Sequence, residues 1–231
     1  KEIFDRIGAK VETVDAEWGE IVPLEQIAAA IERYEPKVVA SVHGDTSTTM
    51  AQPLEGLGEL CKQAGAYSYA DVTATISGME IATDRWGIDV VTGGLQKCLG
   101  GPSGSAPITI SDRAAEHIFS RRHTELGIQR SDLVQGAGQR IGSNYFDLAM
   151  IMDYWSEKRL NHHTEATTML YGARECACVA LEEGLDVRYA RHAKAGAAMT
   201  AGLRAMGLKV FTKEEHRMTN VTGVYIPDEV D

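Results

Sequence analysis

One unit recurs along the first half of this chain: a strand-length apolar run, a polar turn, then an amphipathic stretch that begins at a proline. "PKVVASV" (36–42), "AYSYA" (66–70) and "IDVVTGG" (88–94) are near-continuous in small and apolar residues rather than alternating. Ahead of the first of them, "PLEQIAAAIERY" (23–34) repeats Leu24, Ile27, Ala28 and Ile31 at the i, i+3, i+4, i+7 spacing of a helix face, with Pro23 at its first position. A second proline opens "PLEGLGELCKQAG" (53–65). Strands without alternation need cover on both faces, and helices placed between them supply it, so the pattern predicts an α/β fold with a mostly parallel, three-layer sheet.

"AKVETVD" (9–15) and "SAPITIS" (105–111) read as further strands, and "RSDLVQGAGQRIGSN" (130–144) as a polar excursion from the core. From Thr164, a candidate N-cap, a long helix is expected, its stripe made by Ala166, Met169, Leu170, Ala173, Ala177, Ala180 and Leu181, with Gly184 after its last turn. Another helix covers about 187–206, and "LKVFT" (208–212) and "NVTGVYIP" (220–227) read as strands of a smaller α+β region. The expected domains are 1–185, a large α/β domain, and 186–231, the start of a small one.

In open parallel sheets, ligands bind beyond the carboxyl ends of the strands. Three strands here run into polar residues at that end: into "HGDTSTT" (43–49), into "DVT" from Asp71, and into "GGLQK", ending at Lys97. Thr46, Asp71 and Lys97 are therefore expected along one sheet edge. Lys97 reads either as a solvated loop cation or as an anchoring amine; Asp71 reads either as the cap of its own turn or as the partner of a cation. Pyridoxal phosphate would use both groups, since it needs an amine to hold its aldehyde and a carboxylate to keep its ring nitrogen protonated.

Composition narrows the classes of partner. With 23 Lys+Arg against 33 Asp+Glu, the net charge of −10 disfavours nucleic acid and anionic membrane surfaces and leaves a small molecule. No apolar run reaches membrane-spanning length and "KEIFDRIGAK" is no signal peptide, so the chain reads as cytosolic. Cys61, Cys98, Cys176 and Cys178 lack metal-site spacing and are expected as thiols. "GAGQRIG" (136–142) has dinucleotide-like spacing but follows no convincing strand, and "GGPSGS" (100–105) is no P-loop, since Lys97 precedes its glycines rather than following them. His43, His117 and His123 show no usable arrangement, and "MIMDYW" (150–155) reads as core or interface. Cys98 reads as packing at a crowded turn.

The runs "HGDTSTTMAQPLEGLGELCKQAGAYSYADVTATISG" and "DVVTGGLQKCLGGPSG" resemble the class V aminotransferases of pyridoxal-phosphate fold type I, in the alanine–glyoxylate and serine–pyruvate branch. The resemblance implies that Lys97 anchors the cofactor, Asp71 pairs with its ring nitrogen, and Thr73 lies against the ring face. It also implies that Thr46 bonds near the ring oxygen and Gln96 reaches the phosphate. In "NHHTEATT" (161–168), it implies that His163 and Thr164 approach the cofactor phosphate of a second copy, hence a homodimer with shared sites. The two histidines have no third ligand spaced for a metal.

Enzymes of that branch usually carry Tyr before "HHT"; this chain has Asn161. An amide supplies both a donor and an acceptor, as a ureido substrate would need. The substitution resembles the bacterial purine-catabolism branch that moves an amino group from (S)-ureidoglycine to glyoxylate. The resemblance places a phosphate loop and a stacking aromatic before Lys1 and a substrate-carboxylate arginine after Asp231, so the chain is expected to be part of a longer one. The competing class is a non-catalytic α/β scaffold that binds no cofactor.

Overall fold

A computed structural model describes residues 1–123, 136, 138–157 and 159–230. They form two compact units, one of residues 1–109 with 168–231 and one of residues 110–167. In the first, α1 (Glu2–Arg6) and α2 (Leu24–Tyr34) precede β1 (Val38–Val42), the short hairpin of β2 (Gly44–Asp45) and β3 (Met50–Ala51), and α3 (Leu57–Gln63). Then come β4 (Tyr67–Asp71), α4 (Thr83–Trp86), β5 (Val90–Thr92) and β6 (Ile108–Ile110), whose last residue opens the second unit. That unit holds α5 (Asp112–Ser120) and α6 (Leu148–Trp155); α7 (Thr167–Glu183) begins at its end, and α8 (Leu185–Ala205) completes the helices.

The main sheet has the order β1-β4-β5-β6, and both β1–β4 and β4–β5 are parallel. Parallel neighbours require a crossover, which the α3 and α4 segments provide. The expected parallel α/β sheet is therefore present. Its core joins Ile31 of α2, Leu57 and Cys61 of α3, Ala70 of β4, Val91 of β5, and Leu54, Ala66, Val72 and Ile88 from the turns. Each of these is at most 7% exposed, so burial of apolar area binds the helical layer to the strands.

Strand β1 departs from the two-sided cover the sequence suggested: as the edge strand it leaves Val38 53% and Val42 51% exposed. Residues 9–15 form no strand and are mostly exposed, since they find no neighbouring ladder. Likewise 208–212 and 220–227 meet only in an isolated bridge, Val210 with Val224. Pro23 is the N-cap of α2 rather than its first residue, consistent with its extended ψ of 146°. Helix α7 starts at Thr167, so Thr164 does not cap it. Of its expected stripe Ala180 is buried, whereas Leu181 is 70% exposed.

In the second unit Ser111 caps α5 through Ala114 N–H, and Asp147 caps α6 through Met150 N–H. Arg122 and Asp153 tie the segment after α5 to α6 with a 2.7 Å ion pair whose side chains are 13% and 8% exposed. Of the excursion read at 130–144, residues 130–135 and 137 lie outside the described residues. Among the described residues no helix is long and apolar enough to cross a membrane.

Gly58 sets how closely α3 meets the C-terminal end of α4: a Cβ there would fall inside the carbonyl oxygens of Trp86 and Gly87. Gly58→Ala is expected to destabilise the fold by about 1–3 kcal/mol through backbone displacement. A urea midpoint that drops with an unchanged m-value would show this.

Candidate active site

The parallel ladder places Val42 opposite Asp71 and Asp71 opposite Thr92. The pairing runs one step further, with His43 N–H donating to Asp71 O at 2.9 Å, Val72 N–H to Thr92 O at 2.8 Å and Gly93 N–H to Pro107 O at 2.9 Å. The loops that begin at His43, Val72 and Gly93 thus leave the sheet side by side: the first carries Thr46, the second follows Asp71 and carries Thr73, and the third carries Gln96 and Lys97.

Asp71 is half-buried at the last position of β4, and its Oδ1 accepts the Thr73 N–H at 2.8 Å. The turn-capping role is real, and it uses one oxygen. Among the described residues nothing else bonds this carboxylate, so Oδ2 remains free for a cation. Thr73 then meets the next loop. A Cβ built on Gly94 would stand 2.8 Å from Thr73 Cγ2 and 2.8 Å from Gln96 Oε1. The bare backbone of Gly94 lets Thr73 and Gln96 converge there.

Lys97 lies on a tight loop that starts from Leu95, which is 1% exposed. Gly101 N–H returns to Leu95 O at 2.7 Å and Gly100 N–H to Lys97 O at 3.0 Å, with Gly100 at φ +85°. The backbone is fixed while the Lys97 side chain is exposed, with no ion-pair or hydrogen-bond partner among the described residues. Cys98 packs behind it, its sulfur against Gly78, where a Cβ would overlap it, and 3.6 Å from His192 Nε2. Burial, then Arg191 and Arg188, hold His192 below its usual pKa.

Thr46 is exposed in the turn after β2. Asp45 orders that turn by accepting Ser47 N–H at 3.0 Å and Thr48 Oγ1–H at 2.8 Å. Thr49, buried at φ +58°, bonds Thr212, whose hydroxyl also donates to Thr48 O.

His43 is the residue the sequence reading passed over. It is 6% exposed, its Nδ1 lies 2.8 Å from Thr75 Oγ1, and its ring sits 5.8 Å from that of Trp86. Its own N–H holds the Asp71 carbonyl, so it braces the strand end from beneath. The available signal was a histidine directly after an apolar strand, but nothing in the sequence revealed that its ring would be buried.

Asn161, His163 and Thr164 belong to the second compact unit. Asn161 and Thr164 are exposed. His163 Nε2 pairs with Glu165 at 2.9 Å, and its Nδ1 lies 2.7 Å from His162 Nδ1, so one of those facing nitrogens carries the shared proton. His162 Nε2 is 2.7 Å from Asn144 O, and the rings of Tyr145 and Tyr154 stand 5.7 and 5.2 Å from that of His163. Among the described residues no three His, Cys, Asp or Glu side chains gather as a metal site.

The parallel strand tips thus carry a carboxylate, Asp71, and on the adjacent loop a lysine, Lys97. The aminotransferase class V family model matches residues 1–227, and the chain belongs to that family. It is 48% identical over 232 residues to the (S)-ureidoglycine–glyoxylate transaminase of Bacillus subtilis, covering 100% of this chain and 56% of that protein. The crystal structure of ureidoglycine–glyoxylate aminotransferase from Bacillus subtilis superposes with a TM-score of 0.89 at 46% identity, covering 100% of this chain and 55% of that one. That of an alanine–glyoxylate aminotransferase from Nostoc sp. gives 0.87 at 34%, covering 100% and 57%. The chain thus spans about half the length of these relatives.

Burial lowers the His43 pKa from 6.5 to about 4. Between those values the unfolded chain binds more protons than the folded one, so stability is full above about pH 6.5 and falls as pH drops toward 4, by roughly 3 kcal/mol. The ring resonances of His43 are expected to titrate near that lower value by NMR, and His43→Asn should flatten this part of the stability profile.

Proposed function

We propose that this chain supplies the lysine and aspartate of a pyridoxal-phosphate-dependent aminotransferase that works as a cytoplasmic homodimer. Glyoxylate is the amino acceptor and (S)-ureidoglycine the donor, giving glycine and oxalurate. The observation that carries the cofactor reading is the pairing of Asp71 and Thr92, which delivers a carboxylate with one free oxygen and an unpaired lysine from adjacent strand tips. The donor set fits the group. A pyridinium matches the free Asp71 oxygen, and the convergence of Thr73 and Gln96 over Gly94 puts a hydroxyl-bearing side chain and an amide donor close to that carboxylate's loop.

When bound, the cofactor supplies a ring that accepts the electron pair left as a proton departs from the substrate carbon. Lys97 would hold it through its amine, and Nζ would move a proton at the substrate α-carbon. Asp71 Oδ2 would keep the ring nitrogen protonated, and the tie of Oδ1 to Thr73 N–H holds the carboxylate in place for it. Thr73 would lie against the ring face, Gln96 would donate toward the phosphate and Thr46 toward the ring oxygen. From the second unit, His163 and Thr164 serve the phosphate of the partner copy's site.

For the donor, support comes from Asn161 together with the likeness to the Bacillus subtilis protein. An amide offers both a donor and an acceptor to a ureido group, and a phenol in its place leaves one of those bonds unmade. Alanine is the second donor to consider, given the likeness to the Nostoc protein.

Borohydride reduction of the cofactor-loaded enzyme followed by peptide mass mapping is expected to find the cofactor fixed on Lys97, and Lys97→Ala should lower transamination roughly a thousandfold or more. A label on any other lysine removes the assignment. Asn161→Tyr is expected to shift the ratio of kcat/KM for ureidoglycine over alanine by about 10- to 100-fold toward alanine, the cost of one unmade hydrogen bond to a buried polar group. An unchanged ratio removes the donor assignment and leaves the cofactor chemistry standing.

A further inference from the structure

The chain that follows Asp71 winds into a single helical turn. Thr75 and Ile76 N–H donate to Val72 O at 3.0 and 2.8 Å, and Gly78 and Met79 N–H donate to Thr75 O, both at 2.9 Å. So short a turn leaves its last carbonyls without partners of its own. Side chains take them. Asn220 Nδ2 donates to Ala74 O at 2.7 Å, Thr219 Oγ1 to Gly78 O at 3.4 Å, and Arg188 Nε to Ser77 O at 3.0 Å. Ser77 stands at φ +71°, a conformation that a residue with a side chain keeps only when its surroundings enforce it.

Arg188 projects from the first turn of α8 and is 9% exposed. Its Nη2 donates to the carbonyl of Cys98, the residue after Lys97, at 3.4 Å, and its Nη1 pairs with Glu183 Oε2 at 2.9 Å. Glu183 also takes Arg191, which bonds both of its oxygens from the solvent side. One planar guanidinium therefore touches the turn behind Asp71 and the loop of Lys97, with its charge balanced on the far side. A buried guanidinium is stable only when its donors are met, so the two carbonyls and the carboxylate act as one fitting.

We propose that Arg188 is a positioning residue that fixes the spacing between the Asp71 turn and the Lys97 loop by bridging the carbonyls of Ser77 and Cys98. The proposal rests on the assignment of Asp71 and Lys97 to the cofactor site. Because the bridge sets how the two groups face each other and touches no substrate, its loss falls on kcat rather than KM. Lysine cannot replace it, since a point charge on a flexible stem does not present three divergent donors in one plane.

The test uses the full-length enzyme as Arg188→Lys, Glu183→Gln and Arg191→Ala. In the cofactor-free form, hydrogen exchange at the amides of Gly78, Met79, Gly100 and Gly101 is expected to quicken together in R188K, about fivefold or more, while the Glu35 amide at the end of α2 stays as it was. With cofactor bound, kcat is expected to fall about tenfold with KM within about twofold, and the pH at which the visible absorption band changes should move. R191A, which shares Glu183 but reaches neither loop, should change each readout less than twofold. Exchange in R188K that matches the unmodified enzyme, loosening of one loop alone, or an equal effect from R191A overturns the proposal. Should R188K fail to fold, E183Q carries the test: paired loosening of both loops supports the bridge and unaltered exchange overturns it. An unmodified enzyme that stays colourless with added cofactor instead defeats the assignment of Lys97, which the cofactor-free exchange does not depend on.

Discussion

The parallel register that sets Val42 beside Asp71 and Asp71 beside Thr92 is the constraint on which the site depends. Side chains alternate along a strand, so a slip of one residue in β4 would turn Asp71 to the other face and push Ala70 and Ser68 out of the core. Ser68 guards against that slip. Its N–H and hydroxyl both bond the buried Asp89 carboxylate at 2.9 and 3.2 Å, and Asp89 N–H bonds the Ser68 hydroxyl in return at 2.9 Å. This buried polar lock lies three residues from the end of β5 on one side and three from the end of β4 on the other. A mispaired sheet would leave a carboxylate buried without donors, which is far costlier than a lost apolar contact.

Behind the strand tips, rigidity is built from polar groups rather than from more apolar packing. His43 and Thr75 bond beneath Asp71, Asn220, Thr219 and Arg188 take the carbonyls of the turn that follows it, and Leu95 seats the loop of Lys97. Glycines at Gly44, Gly78 and Gly94 let these loops approach where a methyl group would meet Thr75, Cys98 and Thr73 in turn. Among the described residues, Asp71 uses one carboxylate oxygen on Thr73 N–H and the Lys97 amine extends into solvent, beside loops whose backbone is tied down. Such a contrast suits a site that must hold a charged planar ligand without reorganising to do so.

Much of the fold was legible because it follows from local periodicity. The apolar runs and the stripe of Leu24, Ile27, Ala28 and Ile31 were enough to place α2, β1, β4 and β5 within a residue or two, and parallel order then put Asp71 and Lys97 on one edge. Residues 9–15, 208–212 and 220–227 have strand-like composition but no ladder to join, and strand propensity without a partner does not hold a strand. His43 and Arg188 were invisible for the opposite reason. Their roles come from carbonyls and hydroxyls 32 and 111 residues away in the chain, which no window of sequence contains.

By itself, then, the order of residues determined the class of fold, the strand tips and the chemical kinds at them, because hydrophobic periodicity and the hydrogen-bonding needs of the backbone act over a few residues at a time. Tertiary structure alone decided which oxygen of Asp71 is spent on Thr73, that Gly94 is the floor shared by Thr73 and Gln96, and that an arginine from α8 joins two loops. Those outcomes depend on desolvation and on distances between segments far apart in the chain, and such quantities come into being only when the chain closes on itself.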